Sequence, residues 1–405
     1  MAAQEQLLEG IRILDFTRAL AGPTCTRLFA EMGAEVIKVE SAPAGDLTRK
    51  VSRIRNERSL YYVQQSLNKK SLCLDLRKPE SLALLKDLVR RCDVVVENFK
   101  PGVIKEMGLG WEVLQALKPD IILCSVSALG QSGPLSAKPG YDYIAQAYAG
   151  VTSMIGEKGG PPALPLLGLG DVMTGVNAAF AVAAALLYRA RTGKGKHLDI
   201  ALLDAYYQCH EVNVHQFTGS GGAIKPTRGG RHLSYVCPAG VYQANGGYIT
   251  IMAFLHHWLD LCKAMNREDL ATHPDYKDDP TRLGRLAEVT RVIEDWLATF
   301  PDMDSALARL EAFNVPCAPV MSVEETVSHP HHRARGTVRT IHDRLAGDFS
   351  IPGMPIKVMG MEANLPYTAP TLGEHNADVL TRVLGRSAAE VEALAAAGVL
   401  YAQDI

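Results

Sequence analysis

The sequence has no CxxC pair, no GxSxG elbow, no Walker A loop and no internal repeat. Each absence removes a class of protein. Its eight cysteines, Cys25, Cys73, Cys92, Cys124, Cys209, Cys237, Cys262 and Cys317, are scattered. Neither a dithiol redox motif nor a zinc ribbon can be built from them in sequence, and they read as reduced thiols. Without GxSxG, an α/β-hydrolase would have no nucleophile. The lysines of GKGKH (Gly193–His197) lack both the Walker spacing and the Ser or Thr that follows it, and the glycines of GLGDVMTG miss the dinucleotide spacing. An excess of one charge is also missing. Lys and Arg number 42 against 44 Asp and Glu, a formal net charge of −2, which argues against a nucleic-acid partner. The opening MAAQEQLLEG has neither the basic start nor the apolar run of a secretory signal. The longest apolar stretch, Ala178–Leu187, is about half a membrane span. These features predict a cytoplasmic protein with no membrane partner. HPHHR (His329–Arg333) has no Cys or carboxylate at ligand spacing, so it reads as a surface loop and no metal is expected. His256 and His257 are expected at a helix start, in a structural role.

What is present is a sheet-forming pattern. Strands are predicted at Ile11–Phe16, Ala34–Glu40, Ser71–Leu76, Asp93–Phe99 and Ile121–Leu129, with a helix beginning at Pro79. Runs that are apolar on both faces and alternate with helical stretches predict a parallel sheet covered on both sides, a doubly wound α/β domain. Ligands bind beyond the carboxyl ends of such strands, where DFTRALAGP and ENFKPG fall. Helices are predicted over Tyr141–Ile155 and Asp171–Arg191, then a turn, strand and helix start over Thr192–Ala205. The segment from Gly219 to Gly247, rich in Gly, Arg and His, reads as an exposed linker. A smaller α/β unit follows, with a hairpin at Asn245-Gly246-Gly247. A strand pair and a final helix pair close the chain.

Two stretches hold candidate chemistry. In LLGLGDVMTG (Leu166–Gly175), Asp171 stands between two glycines and an apolar helical run. Its plain reading is an N-cap. Its chemical reading is a nucleophile, held ionised by backbone donors and the helix dipole. In DFTRALAGP, a strand enters a helix through Gly-Pro, which puts Arg18 and several backbone N–H groups where an anion could sit. Arg18 could equally pair with a surface carboxylate.

Taken together and in order, LEGIRILDFTRALAGP, MGAEVIKVESAPAGDLTR, NKKSLCLDLRKPE, DVVVENFKPG, MGLGWE, GQSGP, GYDYIAQAYAG, GLGDVMTG, RTGKGKHLDIALLDA, FNVPCAPVMSVEE and APTLGEHNADVL resemble the class III CoA-transferase family. That family groups formyl-CoA transferase, carnitine CoA-transferase and acyl-CoA racemase. The resemblance implies that Asp171 is the catalytic nucleophile. CoA would move from an acyl-CoA thioester to a free carboxylic acid, through an aspartyl mixed anhydride and an aspartyl-CoA thioester. It implies Arg18, Ala19, Leu20, Ala21, Tyr141, Asp142 and Gly170 around the reacting acyl group. It places the adenine nucleotide of CoA near Leu74, Asp75, Leu76, Arg77, Asn98, Phe99 and Met107, with Arg77 and Lys100 meeting phosphates. Coenzyme A is then a substrate, and no tightly bound cofactor is implied.

The family organisation implies a large Rossmann-like CoA-binding domain over 1–218, a glycine-rich linker over 219–240 and a small α/β domain over 241–325. Residues 326–405 return to the large domain, and two chains interlock as a homodimer. Residues Gly219–Gly230 are a candidate lid, although they lack the consecutive glycines of the family's glycine loop. Leu20 stands where formyl-CoA transferases carry Gln, which speaks against formate or oxalate. Tyr141 stands where the racemase branch carries a His, which favours transfer over racemisation; Tyr ionises only near pH 10. The alternatives are an α-methylacyl-CoA racemase or a non-catalytic CoA-binding protein. The overall pattern, with Leu20 and Arg228–His232, suggests succinyl-CoA and a small dicarboxylate acceptor such as glutarate, malate or itaconate.

Overall fold

The computed structural model describes residues 6–254, 256–362 and 365–403. The chain separates into two compact units, one of residues 1–151, 166–210 and 329–405, the other of 152–165 and 211–328.

The first unit is built on a six-stranded sheet. Its strands are β1 (Arg12–Asp15), β2 (Glu35–Ser41), β3 (Lys69–Leu74), β4 (Val94–Glu97), β5 (Ile122–Ser127) and β6 (His197–Ala201). The spatial order is β3-β2-β1-β4-β5-β6, and every neighbouring pair is parallel. The alternation of side chains explains why both faces are apolar. Ile13, Val36, Val94, Val96, Ile122 and Cys124 point to one face, where they meet helix α1 (Ala21–Glu31) and a long helix over Leu169–Thr192. Leu14, Ile37, Leu72, Val95 and Leu123 point to the other, against helix α2 (Pro79–Val89) and Val379, Leu380 and Val399 from the C-terminal return. Val94, Val95 and Val96 are all fully buried, and burial of each side chain contributes about 1.5–3 kcal/mol.

Several elements differ from the sequence expectation. The segment expected as one helix to Ile155 is a short helix, α3 (Asp142–Tyr148), followed by a 3-10 turn at Val151–Met154. Gly150, at φ +81°, breaks it. The next helix, α4 (Leu169–Thr192), starts two residues before Asp171 and runs for 24 residues. By length and composition alone it could cross a membrane, longer than the Ala178–Leu187 run suggested. Here its Thr174, Gly175, Ala178 and Val182 pack into the sheet-covering layer beside α1. Gly175 permits that approach, since a Cβ there would sit 2.6 Å from the Ala21 carbonyl oxygen. Helix α5 (Leu202–Tyr207) follows β6.

The second unit centres on a three-stranded antiparallel sheet, with Gly247–Met252 between Ala239–Ala244 and Cys317–Pro319. Asn245 and Gly246, the latter at φ +90°, make its hairpin turn. Tyr242, Ile249, Ile251, Leu261, Ile293 and Leu310 form its core. His257 opens the helix His257–Ala264. Back in the first unit, the HPHHR stretch is a correction: Pro330–Ala334 is a short helix that His329 caps, not a loop. Pro330 at its first position and an accepting side chain before it are both helix-start features.

Candidate active site

Three strand ends converge on one chamber. Beyond β1 come Arg18, Ala19, Leu20 and Ala21; beyond β4 come Asn98, Phe99, Lys100 and Pro101; at the end of β5 stand Val126 to Leu129. With Lys138, Tyr141 and Asp171, they line a cavity of about 420 Å³ in the first unit. A parallel sheet with this strand order opens a crevice there, because chains leave β1 and β4 towards opposite faces.

The loop after β1 is fixed from below. Asp15, fully buried, accepts from the Thr17 N–H at 2.8 Å and the Thr26 hydroxyl at 2.8 Å, and pairs with Lys69 at 3.1 Å. Lys38, equally buried, donates to the Thr17 carbonyl oxygen at 2.7 Å and pairs with Asp46 at 2.8 Å. These opposite charges compensate one another's burial. The loop is held so firmly that Ala19 sits at φ +65°, a left-handed conformation that a side-chain-bearing residue adopts only under constraint.

Asp171 is the one carboxylate lining the cavity, which also carries the cations Arg18, Lys100 and Lys138. Its position corrects the N-cap reading. Gly168 occupies the N-cap of α4, so Asp171 is the third residue of the helix. The acceptor for its backbone N–H comes from another helix: the Asp142 carboxylate takes that bond at 3.0 Å. Asp142 is itself steadied by the Tyr206 hydroxyl of α5, which donates to its other oxygen, while the Gln146 amide donates to Tyr206 at 3.0 Å. Gly170 allows this stacking of parts. A Cβ there would lie 2.1 Å from the Tyr206 ring.

The electrostatics also reverse the sequence expectation. Asp171 is not held ionised. Burial, and next the negative charge of Asp142, push its carboxyl up to about 7. The backbone donor expected to stabilise its charge is engaged with Asp142 through Asp171's own N–H, so desolvation wins. The carboxylate that results is unusually basic and near half ionised at neutral pH, as suits a nucleophile.

The other expected residues divide. Leu74 is fully buried in the sheet, and the Asp75 N–H bonds the Val399 carbonyl oxygen at 2.9 Å. Arg77 forms a two-point ion pair with Asp75, at 2.8 and 2.9 Å, on the surface. Leu76 and Met107 pack beside Phe99 against the apolar cluster of α2. None of these five lines the Asp171 cavity. The Arg228–His232 segment is also engaged elsewhere. Arg228 donates to the Ser153 carbonyl oxygen at 3.0 Å and to that of Gly160, and Arg231 pairs with Glu294 at 3.0 Å, all within the second unit. Sequence reasoning missed Tyr206, Gln146, Lys138 and Tyr61. Burial and then the charges of Asp171 and Asp46 push the Tyr61 hydroxyl up to about 12. Only Lys138 had a signal, its place in the loop just before GYD. No His/Cys/Asp/Glu group suited to a metal occurs among the described residues.

The family model for CoA-transferase family III matches residues 8–376. The chain belongs to this family. It is a CoA-transferase, acting on a CoA thioester and a carboxylic acid. It is 33% identical over 415 residues to a formyl-CoA:oxalate CoA-transferase of Rhodopseudomonas palustris, covering 97% of each chain. It is 38% identical over 384 residues to a succinyl-CoA:mesaconate CoA-transferase of Haloarcula hispanica, covering 92% of this chain and 95% of the other. Among solved structures, a CAIB/BAIF family protein from Brucella suis aligns with a TM-score of 0.82 at 30% identity, over 94% of this chain and all of that one.

Proposed function

We propose that this family III CoA-transferase moves CoA from succinyl-CoA to a small dicarboxylate, with Asp171 as the nucleophile. The observation that carries this reading is one basic, semi-buried carboxylate in a cavity that also carries three cations and no second carboxylate among its lining residues.

The Asp171 carboxylate attacks the thioester carbonyl of succinyl-CoA. The C–S bond breaks, leaving CoA thiolate and an aspartyl–succinyl anhydride. The thiolate attacks the Asp171 carbonyl carbon and expels succinate, leaving an aspartyl-CoA thioester. The acceptor carboxylate attacks that carbon, forms the second anhydride and releases the thiolate. Thiolate attack on the acceptor's carbonyl yields the new acyl-CoA and regenerates Asp171. Each addition passes through an oxyanion, which backbone N–H groups at the uncapped start of α1, Leu20 and Ala21, can stabilise. Asn98, Phe99 and Lys100 border the same chamber, and of the three Lys100 serves the CoA side. Leu74, Asp75, Leu76, Arg77 and Met107 lie outside it, where the long nucleotide arm would reach. Tyr141 is exposed and stands where the racemase branch carries a His, so transfer is favoured over α-proton exchange.

The same reading includes an interlocked homodimer. Val172, Val176, Phe180 and Leu187 form an apolar stripe on α4, with Phe180 76% and Leu187 69% exposed. A second copy would cover such a stripe. Light scattering of the purified protein should give twice the 43.9 kDa chain mass. A cytoplasmic setting is supported by eight unpaired thiols.

A donor–acceptor matrix tests the function. Succinyl-CoA, acetyl-CoA and a branched acyl-CoA are mixed with small mono- and dicarboxylates, and CoA esters are read by mass spectrometry. New esters should form from succinyl-CoA and dicarboxylates with wild type and not with Asp171→Ala. Deuterium uptake from D2O at the α-carbon of the branched ester, without transfer, would support the racemase instead.

A further inference from the structure

We propose that Arg18 is the specificity-determining residue that receives the free carboxylate of a dicarboxylate substrate, and that Asn98 and Phe99 position it. The proposal rests on the transferase reading above and assigns the second carboxylate its partner.

The backbone of Arg18 is clamped at both ends by one side chain. Asn98 Oδ1 accepts the Arg18 N–H at 2.8 Å, and Asn98 Nδ2 donates to the Arg18 carbonyl oxygen at 2.8 Å. Asn98 was expected on CoA; its amide is committed to Arg18. Gly22 leaves room for the packing of this loop, since a Cβ there would fall 2.4 Å from Thr17 Cγ2 and 3.3 Å from Asn98 Cγ. The turn that carries Asn98 is anchored in turn, because buried Glu97 accepts the Phe99 N–H at 2.7 Å. Phe99 then takes the guanidinium of Arg18 over its ring, 4.9 Å from the centroid, and leans on Phe16 behind it.

This fixes a guanidinium without giving it an anion. Among the described residues, Arg18 has no ion pair within the chain, whereas Lys138, across the cavity, is held by the Tyr148 hydroxyl at 3.0 Å. A stacked guanidinium keeps its planar fork of donors for a carboxylate, and a preorganised fork loses little entropy on binding one. Arg18 lines the same cavity as Asp171, so an acyl chain bonded to Asp171 at one end can present a carboxylate at the other. The arginines of the Arg228–His232 segment are committed within the second unit and leave this role open.

The test compares two donors of equal chain length, succinyl-CoA and butyryl-CoA, which replaces the carboxylate with a methyl group. In a double-displacement reaction, kcat/KM for the donor reports the donor half alone, so the acceptor cancels. Arg18→Met should lower the succinyl over butyryl preference by about 10- to 100-fold, the range for a lost charge-assisted hydrogen bond. Arg18→Lys should restore part of it. Asn98→Ala should lower the preference in the same direction with the Kd for free CoA unchanged, measured by calorimetry. Lys100→Met should slow both donors alike. Circular dichroism checks that each variant is folded. Equal loss from both donors in Arg18→Met would place Arg18 on the CoA moiety and overturn the proposal, and weakened CoA binding in Asn98→Ala would overturn the positioning role. Wild type that transfers from neither donor would instead overturn the reading on which the proposal rests.

Discussion

Replacing Asp171 with Asn should destroy activity and stabilise the protein, in a pH-dependent way that the geometry fixes. Unfolded, the carboxyl ionises near 3.8; folded, burial and then the Asp142 charge raise it to about 7. Between those values the folded state holds a proton that the unfolded state has lost. Stability from this group is therefore full below about pH 4, falls as pH rises, and is lost once pH passes 7. A difference of about three pH units corresponds to an upper bound of about 4 kcal/mol. The carboxyl is partly open to the cavity, so solvent screening cuts this to about 1–2 kcal/mol. Asn cannot ionise and avoids the whole penalty.

The assay is thermal unfolding of wild type and Asp171→Asn at pH 5, 7 and 8.5. The variant should unfold higher at pH 8.5, by roughly 2–4 °C, with a small difference at pH 5. Activity and stability then oppose each other at one side chain, as at many catalytic groups. A gap that is widest at pH 5 and closes at 8.5, or a variant less stable at every pH, would mean that Asp171 is held ionised after all. The burial argument would then be refuted.

Three further outcomes follow from the same packing. The kcat/KM of wild type should rise with pH through an inflection near 7, as the Asp171 carboxylate forms; in Asp142→Asn, which keeps an oxygen to accept the Asp171 N–H, the inflection should move to lower pH because a like charge is gone. Tyr206→Phe leaves an oxygen of Asp142 and the Gln146 amide without this partner, and should lower stability by about 1–3 kcal/mol in denaturant titration while reducing kcat. Gly170→Ala puts a methyl group 2.1 Å from the Tyr206 ring and should cost about 1–3 kcal/mol, with activity lost through displacement of Asp142.

What the sequence reveals depends on whether the deciding contact is local. The parallel sheet is legible because Val94, Val95 and Val96 are each apolar in a row, and only a strand covered on both faces asks for that. The loop after β1 is legible because Gly22-Pro23 marks a helix start. The role of Asp171 in its helix is not legible. Its N–H partner is Asp142, 29 residues earlier, and nothing in GLGDVMTG distinguishes a cap from a third helical residue whose N–H is capped from elsewhere. The same distance hides its acidity. An N-terminal helix position argues for an ionised group, and only the tertiary arrangement of Asp142, Tyr206 and the cavity wall shows that burial outweighs the dipole. Asn98 shows the same limit in reverse. ENFKPG marks a ligand-facing strand end, but the 80 residues between Arg18 and Asn98 conceal that the amide is spent on a backbone. Motifs locate the parts around the chamber, and contacts between distant residues decide which part faces the substrate and which holds another in place. That division makes Tyr206 and Asn98, which no motif singles out for holding another residue, the positions where substitution should separate geometry from chemistry.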